Sequence, residues 1–71
     1  MQAAMVKIGE NLKRLRTRTA LTQAELAERA GLTTAAVARI ERDEAEPRMT
    51  SLRKLAAALG VPSSELVGEQ D

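Results

Sequence analysis

A short break at Gly31 and Leu32 separates two segments with helical periodicity, and this break constrains the fold more than any other feature of the sequence. Before it, residues 22–25 (TQAE) form a capping box, in which the Thr22 hydroxyl accepts from the amide of Glu25 while the glutamate side chain reaches back. Gly31 then ends the helix, because glycine adopts the left-handed conformation without strain. Thr33 is a good N-cap for the next helix. So short a glycine-containing turn predicts two helices that cross at roughly 90–120°.

Further segments carry apolar residues at helical spacing, and no stretch alternates as a strand would. We expect helices over about residues 6–17 and 49–59, and a short helix or single turn over 62–66. The sequence therefore predicts an all-α fold, a compact bundle of four to five short helices that contains a helix-turn-helix. The apolar positions expected in the core are Ile8, Leu12, Leu15, Leu26, Ala27, Ala30, Ala36, Val37, Ile40, Leu52, Leu55, Ala56 and Leu59.

The residue types that are missing narrow the function. The chain has 71 residues with no cysteine, no histidine and no aromatic residue. It therefore lacks the commonest general base, any thiolate ligand and the rings on which single-stranded nucleic acids stack. Neither a phosphate-cradling glycine-rich motif nor a clustered carboxylate site is evident. We expect no enzyme activity, no cofactor and no metal.

The charge pattern and the ends of the chain bear on location and organisation. The net charge is +1, and a basic cluster (Lys7, Lys13, Arg14, Arg16 and Arg18) is most simply a solvated helix face. No apolar run is long enough to span a bilayer, and residues 1–6 do not resemble a signal peptide. We expect a cytoplasmic protein of a bacterium or phage. The expected organisation is an N-terminal arm (1–6), a single domain (7–67) and a frayed tail (68–71).

Residues 21–33 (LTQAELAERAGLT) resemble the helix-turn-helix core of the lambda-repressor/Cro family, also called the XRE family. The similarity continues through residues 37–42 (VARIER), Pro47 and residues 52–61 (LRKLAAALGV), and it covers roughly residues 7–67. The resemblance implies a lambda-repressor-like domain that binds double-stranded DNA in a sequence-specific way. The implied role is transcriptional regulation, with repression as the first expectation.

In the family the third helix, here residues 33–42, is the recognition helix and lies in the major groove. Periodicity turns Val37 and Ile40 to the core, so the opposite face is presented outward. Arg39 is the long donor in the middle of that face; it can bind guanine O6 and N7 bidentately, or it can be a solvated arginine or a phosphate contact. Relatives often carry Gln, Arg or Ser at the positions where this chain has the short side chains of Thr34 and Ala35. The residues expected to face the bases are Thr34, Ala35, Ala38 and Arg39.

Gln23 opens the second helix, where its side chain and backbone amide resemble groups that hold a DNA phosphate in the family. The free N–H groups and the positive dipole end of a helix N-terminus support that contact, although a plain first-turn residue is the alternative. The residues expected at phosphates are Thr22, Gln23, Thr33, Arg42 and Arg48.

The loop over residues 43–47 departs from the family pattern. Relatives commonly have glycine at position 43 and basic residues around 44–46, whereas Asp43, Glu44 and Glu46 here would repel phosphates. The departure favours an alternative in which the same fold is a protein-interaction module, an antitoxin or adaptor, whose DNA binding is weak or secondary.

The resemblance also implies two contacts away from the DNA. Residues equivalent to Arg16 and Glu41 form an ion pair in relatives, between the first helix and the end of the third. A domain of this size reads few base pairs, so we expect a homodimer with half-sites ~34–36 Å apart. By analogy with the family surface near the fifth helix, the candidate dimer residues are Val61, Leu66 and Val67, with simple core closure as the alternative.

Overall fold

A computed structural model describes residues 7–68. In this part of the chain the elements are, in order, α1 (Ile8–Arg18), α2 (Gln23–Ala30), α3 (Thr34–Glu41), α4 (Met49–Leu59) and α5 (Ser63–Val67). The described residues contain no strand, and the predicted all-α class is confirmed. None of these helices is long and apolar enough to cross a membrane.

The two ends of the predicted organisation fare differently. The expected arm, residues 1–6, and residues 69–71 of the expected tail lie outside the described residues. Gly68, expected as the first residue of the tail, follows α5, and its backbone N–H donates to the carbonyl oxygen of Ser64 at 3.0 Å.

The five helices close into a ring of contacts around an aliphatic core. In that ring α1 contacts α3, α3 contacts α2, α2 contacts α4, α4 contacts α5, and α5 returns to α1. Because no aromatic ring is available, leucine supplies most of the bulk. Burial of such side chains contributes about 1.5–3 kcal/mol each. The largest fully buried side chains are Leu12, Leu26, Leu55, Leu66 and Val37.

The helix ends around the break follow from local side-chain chemistry, as predicted. The Thr22 hydroxyl accepts from the Glu25 amide at 3.0 Å, and Glu25 Oε1 accepts from the Thr22 amide at 2.9 Å, which completes the capping box. The Thr33 hydroxyl accepts from the Ala36 amide at 3.0 Å. These bonds satisfy amides that a helix N-terminus otherwise leaves without partners.

The C-terminal ends of all five helices share one feature, because a residue one or two positions after each helix takes a left-handed backbone conformation. Gly31 at the end of α2 has φ 72°, whereas Ala20 after α1 has φ 61° without being glycine. The amide of the next residue donates back into each helix. Leu32 N–H donates to the carbonyl oxygen of Ala27 at 2.8 Å, and Leu21 N–H donates to the carbonyl oxygen of Arg16 at 3.1 Å. Both helices therefore end in a Schellman-type turn, with strain at Ala20.

We expect Ala20→Gly and Gly31→Ala to change stability in opposite directions. A left-handed non-glycine residue costs roughly 1–2 kcal/mol, and a glycine costs about 0.4–1 kcal/mol through the unfolded chain, so Ala20→Gly should raise the free energy of unfolding by up to about 1 kcal/mol. Gly31→Ala should lower it by a similar amount through strain alone, because nothing lies within 4 Å of the added Cβ. Urea unfolding followed by circular dichroism measures both. Shifts of the same sign would contradict the assignment.

Candidate nucleic-acid interface

The packing of α3 leaves one of its faces on the surface. Val37 and Ile40 are buried with exposures of 0% and 5%, and Leu32 in the preceding turn packs against the core. Thr34, Ala35 and Arg39 lie on the opposite side and are exposed, while Ala38 is half-buried. Ala36 was expected in the core and is only half-buried. The four residues predicted to face the bases therefore share the outward side of α3. A helix aligns residues four apart, so Thr34 lies next to Ala38 and Ala35 lies next to Arg39.

Two threonines predicted at phosphates cap the helices on either side of the turn. Thr22 and Thr33 are both exposed, and each hydroxyl already accepts one backbone hydrogen bond. A hydroxyl that accepts a bond still carries its own proton, which it can donate to a phosphate oxygen. Capping and phosphate contact are therefore compatible at both positions.

Gln23 has a role inside the protein that the sequence did not indicate. It is half-buried, and its Nε2 donates to Glu41 Oε1 at 3.0 Å. One amide hydrogen therefore holds α2 to the end of α3. The second hydrogen and the backbone amide remain as potential donors at the N-terminus of α2.

Glu41, at the end of α3, joins that helix to α1 through Arg16. Arg16 Nε donates to Glu41 Oε2 at 2.6 Å and Nη2 donates to Oε1 at 3.0 Å, with the two side chains 15% and 3% exposed. Arg16 Nη1 also donates to the carbonyl oxygen of Leu21 at 2.8 Å. The structure thus brings together the two residues that the resemblance paired, in the bidentate geometry that fixes both position and angle.

The electrostatics of this pair favour the charged forms. Burial alone would raise the pKa of Glu41, but hydrogen bonds from Arg16 and Gln23 and the positive charges of Arg16 and Lys13 outweigh it, so the pKa lies below the ordinary glutamate value. The hydrogen bond to Glu41 raises the pKa of Arg16 despite its burial. Both groups are therefore ionised at neutral pH.

Two residues of α1 that the sequence pattern did not identify bring α1 against neighbouring helices. Gly9 is buried, and a Cβ built on it would lie 2.5 Å from the carbonyl oxygen of Ile40, at the end of α3. Asn11 Nδ2 donates to the carbonyl oxygen of Leu66 at 2.8 Å, which ties α1 to α5. A glycine inside an otherwise helical pattern was the only available signal, since such a glycine often marks close packing.

The α3–α4 loop presents its acidic side chains to solvent. Asp43, Glu44 and Glu46 are all exposed. Arg42 and Arg48, the two flanking residues predicted at phosphates, are exposed as well, but Arg42 is paired with Glu44 at 3.0 Å. Only Arg48 of the two thus has its guanidinium outside the ion pairs found among residues 7–68.

The expected dimer residues are not equivalent in the structure. Leu66 is 0% exposed and closes the core beneath α5, so its assignment to a dimer contact is wrong. Val61 and Val67 are half-buried against the same core and retain part of their surface.

Residues 7–68 contain no cluster of three or more carboxylate, cysteine or histidine side chains placed to hold a metal ion.

Two short helices joined by the Gly31 turn, the second with an exposed face opposite its buried one, define a helix-turn-helix protein. The chain belongs to the HTH_3 helix-turn-helix family, which matches residues 12–66. The predicted resemblance to lambda-repressor-like domains is thereby confirmed.

Individual relatives agree in sequence and in fold. The immunity repressor protein of Bacillus phage phi105 is 41% identical over 63 residues, which cover 89% of this chain but only 44% of that repressor. The restriction-modification controller protein C.AhdI of Aeromonas hydrophila has a TM-score of 0.83 at 38% identity, over 86% of this chain and 92% of its own. The P22 c2 repressor, in complex with a synthetic operator, has a TM-score of 0.81 at 28% identity, over 90% and 96%.

We expect Arg16→Ala to destabilise the protein in a pH-dependent way. Removal of one partner of a buried pair typically costs about 3–5 kcal/mol. The wild-type pair contributes above the ordinary glutamate pKa of about 4.3, and its contribution is lost as the pH falls towards the lower folded-state pKa. In the variant the buried carboxylate has lost its cation, so protonation in acid relieves the penalty.

The gap in unfolding free energy between wild type and Arg16→Ala should therefore narrow on acidification from pH 7. Urea titrations at several pH values measure it, with the exposed Arg53→Ala as the control for loss of one positive charge. A gap independent of pH would show that Glu41 is not the group responsible.

We expect Gly9→Ala to destabilise the protein by about 1–3 kcal/mol, because the added methyl group meets a backbone carbonyl that cannot rotate away. The sign is informative, since alanine in place of glycine inside an unobstructed helix stabilises by roughly 1 kcal/mol. Glu10→Ala, at the exposed neighbouring position, should be close to neutral. Thermal unfolding of both variants decides, and a stabilised Gly9→Ala would disprove the close approach of α1 to α3.

Proposed function

We propose that this chain binds double-stranded DNA in a sequence-specific way as a small transcriptional regulator, in the first instance a repressor, with α3 in the major groove. The observation that carries the proposal is the exposed face of α3 opposite the buried Val37 and Ile40. A major groove about 12 Å wide admits one α-helix. The likeness to a repressor solved with its operator supports this mode of docking.

Arg39 is the residue to which we assign most of the base readout. It is exposed in the middle of the outward face of α3, and its planar fork matches the O6 and N7 acceptors of guanine. Thr34, Ala35 and Ala38 each offer a methyl group to thymine, and Thr34 also offers a hydroxyl group. Sequence readout is therefore sparse, with one strong donor and several small apolar contacts.

We assign the phosphate contacts to the helix N-termini on either side of the turn and to the loop. Thr22 and Gln23 begin α2 and Thr33 begins α3, where amide groups and the positive dipole end favour an anion. Arg48 and Arg42 flank the acidic loop and would approach the backbone beyond α3. These contacts set position and orientation but carry no sequence information.

We further propose that two copies bind a pseudo-palindrome. One α3 reads only a few base pairs, and a second copy one helical turn away doubles the contacts. The exposed parts of Val61 and Val67 are the candidate dimer surface. A regulator of this kind works where the DNA is, which for a bacterial or phage protein is the cytoplasm.

A second candidate function, a protein-interaction module of the antitoxin or adaptor type, is favoured by the exposed acidic loop. The discriminating experiment is selection from a pool of random duplexes, with affinity for the winners measured across salt. Enrichment of a two-fold symmetric site and a steep negative salt slope support the regulator. A chain that enriches no site supports the interaction module.

We expect Arg39→Ala and Arg39→Lys to separate base readout from phosphate contact. If Arg39 binds guanine, both variants lose about 1–3 kcal/mol of discrimination at one base pair, because lysine keeps the charge but not the fork. If Arg39 only neutralises a phosphate, Arg39→Lys binds like the wild type. Arg39→Ala then weakens all sequences alike and reduces the salt slope by about 0.9. Titrations of the selected duplex and its single-base variants provide the measurement.

A further inference from the structure

Arg42 and Glu44 form a bidentate ion pair at the point where the recognition helix meets the acidic loop. Arg42 Nε donates to Glu44 Oε2 and Arg42 Nη2 donates to Glu44 Oε1, each at 3.0 Å. Two parallel N–H···O bonds from one guanidinium are the same arrangement that arginine offers a phosphate group. The Glu44 carboxylate therefore occupies one of the two hydrogen-bonding edges that the Arg42 guanidinium could present to DNA.

The backbone at the end of α3 places Glu44 beside Arg42. Asp43 has φ 60°, and the chain turns back so that the amide of Asp43 donates to Ile40 at 3.0 Å and the amide of Glu44 donates to Arg39 at 2.9 Å. This is the Schellman-type ending that α1 and α2 also have. The position of Glu44 is thus fixed by the helix end itself. The charge of Arg39 also acts on the same carboxylate.

We propose that Glu44 is an affinity-determining residue that competes with DNA phosphate for Arg42. This inference rests on the proposed DNA binding and deepens it. In the free protein the carboxylate neutralises Arg42, and a phosphate that binds the same edge of the guanidinium must replace it. The displaced carboxylate then remains next to the phosphate backbone, so Glu44 lowers affinity both by withholding Arg42 and by repulsion.

The exposure of the pair allows such an exchange. The Arg42 and Glu44 side chains are 59% and 55% exposed, and exposed ion pairs are weak because water and salt screen them. A phosphate, backed by the summed negative field of the DNA, can therefore displace the carboxylate without disturbing the fold. The competition changes the strength and the salt dependence of binding, and leaves the choice of bases to α3.

Glu46 provides a matched control within the same loop. It carries the same charge and is exposed, but the ion pairs among residues 7–68 join Glu44, and not Glu46, to Arg42. Glu46→Gln therefore removes only the general repulsion. Glu44→Gln removes a similar repulsion and also replaces a charged acceptor with a neutral amide, which releases Arg42.

The experiment compares the full chain with Glu44→Gln, Glu46→Gln, Arg42→Ala and the double variant Glu44→Gln/Arg42→Ala. The probes are a selected duplex and an unselected duplex of the same length, titrated by fluorescence anisotropy at several salt concentrations. Circular dichroism melting checks that all variants fold alike, as expected for exposed positions.

We expect Glu44→Gln to bind both duplexes roughly three- to tenfold more tightly than Glu46→Gln at low salt. The plot of log affinity against log salt should be steeper by up to about 0.9, the value for one phosphate, because the Glu44 charge no longer cancels the charge of Arg42 at the DNA backbone. In the Arg42→Ala background Glu44→Gln should give no more than the gain of Glu46→Gln. Specificity, measured as the ratio between the two duplexes, should stay unchanged.

Equal affinities and slopes for Glu44→Gln and Glu46→Gln would overturn the competition while DNA binding by the wild type stands. A gain from Glu44→Gln that persists in full without Arg42 would also overturn it, because repulsion alone would then explain the effect. If neither the wild type nor any variant binds duplex DNA, the proposed function fails and the competition fails with it.

Discussion

The buried carboxylate of Glu41 is the interaction on which the remainder of the structure depends. It accepts two hydrogen bonds from Arg16 on α1 and one from Gln23 at the start of α2, so a single group fixes three helices relative to one another. Arg16 in turn holds the carbonyl oxygen of Leu21, in the connection between α1 and α2. In a site this poorly exposed a half-satisfied network is costly, so the bonds stand or fall together. The orientation of the exposed face of α3 is therefore set from its C-terminal end as much as from the Gly31 turn.

This arrangement compensates for the weakness of the parts. Helices shorter than about 12–15 residues are marginal alone in water, and α3 has 8 residues with three alanines on it. A core without aromatic rings gives each helix a modest area to bury. Close packing offsets part of this small buried area, because Gly9, which has no side chain, lets the backbone of α1 contact the backbone of the last turn of α3. The orientation of α3 thus arises from one-sided burial, one ion-paired network and one small residue, and none of these uses the exposed side chains of its outward face.

Local signals in the sequence predicted most of the elements, and failures occurred where the determining contact is distant. The Thr22 cap placed the start of α2, and helix-ending glycines placed the ends of α2 and α4, whereas α1 starts at Ile8 where the prediction began at about residue 6. The bond from Gln23 to Glu41 and the close approach at Gly9 both join residues far apart in the chain. Leu66 was misassigned because a five-residue helix has too few positions to show which face is buried. The outward face of α3 was predictable because its buried stripe was.

The acidic loop opposes the proposed function, because its negative charges lie where the protein would approach the DNA backbone. Asp43 takes a left-handed conformation that glycine adopts without strain, and its acidic neighbours place negative charge beside the end of α3. A chain with these residues neutralises few phosphates, so a single copy would hold DNA weakly at physiological salt. Two linked copies bind with an affinity far above that of either one, because the second contact is intramolecular. For the proposed dimeric regulator, weak single-copy binding would therefore make occupancy depend steeply on protein concentration and on two correctly spaced half-sites.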